Sequence, residues 1–187
     1  MAKTFNSYLE HLDTGFWRGL CERRGTLSRF EKGDAFVKCG EVARYVGYIK
    51  SGTLKYVAYS DDGSEHVVGM EFTGSFVADY PFSLRGREAR VSIVAVSPCE
   101  IYCVPVGEVV ALMEADPAVE AIVRDSTEAI FTTVYDRYMD LYRKTPQERY
   151  NHLVSTYPDL FKLFSLKDIA SYLNITPTHL SRLRRKV

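Results

Sequence analysis

The sequence predicts an α+β protein: an N-terminal β-roll, one long helix and a C-terminal helix-turn-helix. Three observations predict it. From residue 26 to about 106 the apolar pattern has a period of two, broken by turn signals roughly ten residues apart. From 116 to 144 the spacing changes to threes and fours, the period of a helix. The last 23 residues, SLKDIASYLNITPTHLSRLRRKV, then spell two short capped helices around a tight turn.

The elements follow in order. Residues 5–21 carry Phe5, Leu9, Leu12, Phe16 and Leu20 at loosely helical spacing and predict one helix. The roll is punctuated by Lys32-Gly33-Asp34, Cys39-Gly40-Glu41, Ser51-Gly52, Asp61-Asp62-Gly63 and Thr73-Gly74. Within it, YVGYIKSGTLKYVAYSDDGSEHVVGMEF reads as successive hairpins, with Asp62-Gly63 the clearest tight turn. Thirteen tyrosines and ten phenylalanines suit pleated, half-buried surfaces. Residues 106–115 return to helical spacing. Asp116 then caps a helix begun by Pro117, which runs to 144 and stops before Thr145-Pro146. Its apolar seam is Val119, Val123, Thr127, Ile130, Val134, Tyr138 and Leu141, a coiled-coil spacing. Some 28 residues span about 42 Å, longer than a small barrel needs. The seam therefore predicts a partner helix from a second subunit; packing on the chain's own roll is the alternative. A shorter helix over 148–156, broken at Tyr157-Pro158, supports the final motif.

In that motif Ser165 caps the first helix, and Asp168 stands where it can return the capping bond. Ile169, Ala170 and Leu173 face inward, and Asn174 occupies the turn position that needs a positive φ. Thr176 caps the second helix and Pro177 takes its first position, where a missing N–H costs nothing. Leu180 and Leu183 face inward. Thr176, Thr178, His179, Ser181, Arg182, Arg185 and Lys186 are left at the cap or on the outer face, where such a helix meets a DNA major groove. The alternative is an ordinary helical hairpin with a basic end. Charge favours the first reading. Overall the net charge is zero, but residues 143–187 hold nine Lys/Arg against three Asp/Glu, a net of +6, on a body of −6.

Composition is that of an ordinary globular chain, 46% hydrophobic and 26% charged. No apolar run predicts a membrane span or a secretory signal, so a cytoplasmic protein is expected. Cys21, Cys39, Cys99 and Cys103 fit no zinc or iron–sulfur spacing and read as structural thiols, with redox or metal sensing as the alternative. His66 is the only histidine in the roll, too few for a cupin-type metal enzyme or a haem sensor. No G-x-S-x-G, Walker or HExxH motif is present. No enzyme activity, no cofactor and no metal are expected.

The order of elements, with FEKGDAFVKCGE, YIKSGTLKYVAYSDDGSEHVV, VPVGEVVALMEADPAV and the helix-turn-helix, resembles the Crp/Fnr family of bacterial transcription regulators. The resemblance implies a double-stranded β-helix roll of the cyclic-nucleotide-binding type as an effector-sensing domain over 1–115. It implies a dimerisation helix over 116–144 and a DNA-binding domain over 145–187, here without a full β-hairpin wing. It implies a homodimer on double-stranded DNA with an inverted-repeat operator, RNA polymerase as a possible partner and an unidentified small effector. The family's nucleotide-binding members hold the cyclic phosphate with a Gly-Glu pair and, about ten residues later, an Arg-Ser or Arg-Thr pair. The matching stretch is TGSFVADYPFSLRGREARVSIVA, which places the effector pocket at Gly74, Ser75, Phe76, Ala89 and Arg90. Ser75 stands for the Glu, and Ala89-Arg90 for Arg-Ser. Arg90 is one place out of register, which turns a strand side chain to the other face. The expectation is a regulator whose effector is not cAMP. The alternatives are a sensor or adaptor that does not bind DNA, and a cAMP-responsive regulator with an altered pocket.

Overall fold

A computed structural model describes residues 4–185. Two four-stranded antiparallel sheets form the roll. One has the order β1-β8-β3-β6, with β1 Thr26–Phe30, β3 Tyr45–Ser51, β6 Phe76–Val77 and β8 Cys99–Pro105. The other has the order β2-β7-β4-β5, with β2 Ala35–Val37, β4 Thr53–Tyr59, β5 Glu65–Phe72 and β7 Ser92–Ala95. The inner faces meet in a core centred on Ile49, Leu54, Ile93 and Ile101, all fully buried.

One expected hairpin is not one. β4 and β5 pair around Gly63, but β3 pairs with β8 and β6 and makes no ladder with β4. Ser51-Gly52 is a corner at which the chain changes sheets. Gly52 has φ +101°, and a Cβ there would lie 2.5 Å from Cys99 Sγ, so only glycine fits.

The N-terminal helix is also broken. Ser7–Glu10 form a single 3₁₀ turn, and α1 (Thr14–Arg24) starts afresh where Asp13 accepts the Phe16 N–H at 2.8 Å. The local cap outweighs the loose periodicity. Tyr8, in the 3₁₀ turn, is buried against the roll. α1 covers one end of the roll with Trp17, Leu20 and Cys21, packed with Val46, Val104 and Val109. Of the four cysteines, Cys21, Cys99 and Cys103 are buried and Cys39 is exposed.

α2 (Val106–Ala115) leads into α3 (Pro117–Arg143), capped by Asp116 with Pro117 in its first turn. Val119 and Val123, expected on the dimer face, are buried in the same core as Trp17 and Val109. That part of the seam is used within the chain, because α1 and α2 already cover it. Farther along α3, Phe131, Val134, Tyr135, Tyr138 and Tyr142 are exposed, Val134 to 62%.

α4 (Pro146–Thr156) opens on a full capping box between Thr145 and Glu148. After α5 (Leu160–Leu163) come α6 (Leu166–Tyr172) and α7 (Pro177–Arg184), joined through Asn174 at φ 53°. Leu160, Ile169, Ala170, Leu180 and Leu183 pack with Val67, Met70 and Phe72 of β5 in one core. The C-terminal helices are therefore seated on the roll. Among the described residues no helix is long and apolar enough to cross a membrane.

Candidate nucleic-acid interface and effector cavity

The cap of α7 follows from its sequence. Thr176 Oγ1 accepts the His179 N–H at 3.1 Å, and Pro177 starts the helix. Leu180 and Leu183 bury the opposite side. Thr176, Thr178, His179, Arg182 and Arg185 are exposed. Thr178, Arg182 and Arg185 lie at i, i+4 and i+7 and share one face. Ser181 is half-buried and donates its hydroxyl to Pro177 O at 3.0 Å, so it serves the helix first. Arg184 is drawn aside, its guanidinium 4.7 Å above the Phe161 ring. Lys186 lies outside the described residues.

A second feature is a cavity of ≈ 750 Å³ between the roll, the N-terminal turn, α3 and the C-terminal helices. Its wall is mostly apolar and aromatic, with Trp17, Tyr56, Phe76, Tyr80 and Phe82 among its residues. Of the five expected pocket residues, Phe76 and Arg90 line it; Gly74, Ser75 and Ala89 are not among its lining residues. Ser75 is 3% exposed, and its hydroxyl donates to Phe72 O at 2.7 Å and accepts the Phe72 N–H at 3.1 Å, closing the β5–β6 turn. Ala89 is buried, its N–H donated to Glu41 O and its carbonyl accepting from Gly40 N–H. Arg90 donates its backbone N–H to Asp79 Oδ2 at 2.8 Å, and its guanidinium lies 5.2 Å from the centre of the Phe82 ring.

The carboxylate facing the Ala89-Arg90 segment is thus Asp79, which the sequence reading passed over. Burial raises its pKa, and the bond and charge of Arg90 work against that rise. The reading also passed over Glu71. It lines the cavity, 7% exposed, and accepts the Tyr8 hydroxyl on Oε1 at 3.1 Å. Burial pushes its carboxyl up to about 8, against the lowering effect of neighbouring hydrogen-bond donors. No period marks either residue; Glu71 is buried like Met70 and Phe72 on either side of it, so burial does not alternate at this end of β5.

Among the described residues Lys55, Ser171 and Arg137 connect the roll to the helix-turn-helix. Lys55 Nζ on β4 donates to Asp168 Oδ1 on α6 at 2.6 Å. Ser171 Oγ accepts the Val67 N–H at 2.8 Å. Arg137 on α3 donates to Val68 O and Tyr172 O and stacks 3.6 Å from the centre of the Tyr172 ring. Asp168 therefore does not return Ser165's capping bond. Its Oδ2 accepts the Ser165 hydroxyl, and its Oδ1 is taken by Lys55.

A β-roll flanked by a long helix, with a helix-turn-helix at the far end, is the architecture of the Crp/Fnr regulators. Residues 27–116 match the cyclic nucleotide-binding domain family. Among solved structures the chain is similar to FixK2 from Bradyrhizobium japonicum, at 20% identity and a TM-score of 0.73 over 87% of this chain and 83% of that one. It is similar to CLP, the c-di-GMP responsive global regulator of Xanthomonas campestris, at 17% identity and 0.67 over 93% and 91%. It is similar to the catabolite activator protein of Thermus thermophilus, at 18% and 0.57 over 96% and 86%. What these share with the chain is the fold. No curated protein matches its sequence.

Proposed function

We propose that the protein is a homodimeric DNA-binding transcription regulator of the Crp/Fnr type, controlled by a small effector other than cAMP. The observation that carries this is the exposed stripe of Thr178, Arg182 and Arg185 on a capped helix, in the one strongly basic segment of the chain. A capped N-terminus presents backbone N–H groups to a phosphate, and the residues just beyond it reach base edges. Arg182 is the base reader in this proposal, bidentate to guanine. Thr176 and Arg185 take the phosphate backbone.

Dimerisation is proposed through the exposed part of α3. Ile130, Val134, Tyr138 and Leu141 continue the seam beyond the stretch that α1 covers, with Thr127 at its edge. The exposed Phe131, Tyr135 and Tyr142 border this seam, and an exposed apolar patch of this kind supports an interface here.

The cAMP exclusion rests on two replaced residues. Ser75, in the place of the Glu, spends its hydroxyl on Phe72, and Ala89, in the place of the Arg, has no charge to give a phosphate. Losing two charged hydrogen bonds at about 1.5–3 kcal/mol each weakens binding a hundredfold or more. That relatives of this fold answer other effectors is seen in the c-di-GMP responsive CLP.

The test is binding-site selection followed by gel shift at two salt concentrations, with wild type, Arg182→Ala and Arg185→Ala. Wild type should select an inverted repeat with a steep salt slope. Arg182→Ala should relax one base pair per half-site by about 1–3 kcal/mol. Arg185→Ala should weaken all sequences alike and flatten the slope by about one unit. No specific binding would leave a sensor or adaptor in place of a regulator.

A further inference from the structure

We propose that the end of the cavity where Glu71 meets Tyr8 is an anchor for an apolar amine, with the Glu71 carboxylate accepting the ammonium N–H. The inference rests on the reading of this cavity as the effector site and names the ligand chemistry.

Three observations lead to it. First, Glu71 has an unused acceptor. Oε1 is occupied by the Tyr8 hydroxyl, while among the described residues Oε2 is buried with no hydrogen-bond partner. A buried polar atom without a partner costs about 1–3 kcal/mol, more if charged, so the position favours whatever supplies a donor.

Second, the cations nearby are already engaged. Arg137 spends its donors on the Val68 and Tyr172 carbonyls. Arg149 spends two nitrogens on the carbonyls of Lys144 and Leu173. Its Nε is buried without a partner among the described residues. Arg90 lies over Phe82. Among the described residues no cation is bonded to Glu71, so this end of the cavity offers an acceptor.

Third, the surroundings suit an apolar cation. Tyr8, Tyr56 and Tyr172 are close enough to Glu71 for its charge to act on their hydroxyls. The π-faces of aromatic side chains attract a desolvated ammonium. Trp17, Phe76 and Phe82 supply apolar wall for the rest of the molecule. Tyr172 belongs to α6, so an occupant here touches the roll and the helix-turn-helix together.

The raised Glu71 pKa of about 8 is consistent with a site that lacks a cation partner of its own. An ammonium displaces that proton, so amine affinity should rise up to about tenfold per pH unit between pH 6 and 8. Of the groups around Glu71, the three tyrosines are shifted upward and Arg137 downward, all by burial; His152 also lines the cavity, so the dependence that belongs to Glu71 is the part that Glu71→Gln removes.

The experiment is calorimetry on the full chain with 4-phenylbenzylamine and its isosteres 4-biphenylmethanol and biphenyl-4-carboxylate. The amine should bind at least tenfold tighter than the alcohol at pH 7.5, with the carboxylate weakest. Glu71→Gln should remove the amine's advantage and its pH dependence. The isostere comparison on wild type stands even if the variant does not fold. Equal affinity for amine and alcohol, a preference for the carboxylate, or no binding of any probe would overturn the inference. A gel shift on the same preparation separates the two readings. DNA binding without amine selectivity sinks only the ligand, and amine selectivity without DNA binding sinks only the regulator.

Discussion

Lys55→Met tests how firmly the helix-turn-helix is held to the roll. Lys55 Nζ and Asp168 Oδ1 are 2.6 Å apart, with side chains only 21% and 14% exposed. Methionine keeps the apolar stem and removes the charge. Asp168 is then left with the Ser165 hydroxyl alone on a largely covered surface. Exposed ion pairs contribute under about 1 kcal/mol, and breaking a fully buried pair costs about 3–5. This pair lies between, so the expected loss is about 2 kcal/mol. In a chain of this size that lowers Tm by roughly 4–8 °C. The pH dependence has a definite sign. Burial raises the Asp168 pKa, but the bonds from Lys55 and Ser165 outweigh it and hold the carboxyl below its ordinary value. A depressed carboxyl stabilises at neutral pH and loses that contribution as pH falls through the folded-state value. Wild type and variant should therefore differ at pH 7 and converge in acid, below the ordinary Asp range. Thermal unfolding by circular dichroism at both pH values, with Asp168→Asn and the double variant completing a cycle, reads the coupling. A Tm within 1 °C of wild type at pH 7, or an additive double variant, would refute the argument.

Glu71→Gln should alter the pH profile in the opposite sense. A carboxyl raised to about 8 keeps its full contribution below the unfolded value near 4.5 and loses it as pH rises toward 8, at about 1.4 kcal/mol per unit. The variant should flatten urea-unfolding free energies across that window, and an unchanged slope would contradict the assignment. Val134→Asp with Tyr138→Asp should give folded monomers in sedimentation, since both residues are more than half exposed in the single chain. A folded dimer would show that association uses another face. Gly52→Ala should lower the urea midpoint by an amount worth at least 1–3 kcal/mol, because both the positive φ and the 2.5 Å approach to Cys99 oppose a side chain. A wild-type midpoint would mean that the corner relaxes freely.

The parts legible in the sequence are those specified by neighbouring residues. Thr176-Pro177, Asn174 and Asp116-Pro117 each fix a helix boundary through their own side chain or φ, and each appears where read. The β4–β5 hairpin is likewise local, set by Asp62-Gly63. Long-range choices were not legible. Nothing between β3 and β4 says that they part into different sheets; β8, about 50 residues on, claims β3. The seam of α3 reads as one stripe, yet the core shared with α1 and α2 takes Val119 and Val123 inside. Position alone gives Ser75 a ligand role, but a hydroxyl beside a free turn carbonyl and N–H bonds them first. Asp168 lost its capping role to Lys55, a residue 113 positions away. Glu71 and Asp79 look like ordinary strand and loop acids until the fold surrounds them.

The attachment of the Ala89 segment bears on redesign. Its N–H and carbonyl are bonded to the main chain at Glu41 and Gly40, Val42 bridges to Glu88, and the Arg90 N–H is held by Asp79. Apart from Asp79, these partners are groups that every non-proline residue owns. The rim of the cavity is sewn to the roll by stitches that do not depend on which side chains it displays. Exchanging Phe82 or Arg90 therefore alters what the rim presents without unpicking the seam. Recognition can drift, or be retargeted in the laboratory by randomising those positions, while the scaffold that would carry a signal to α3 and the helix-turn-helix stays in place.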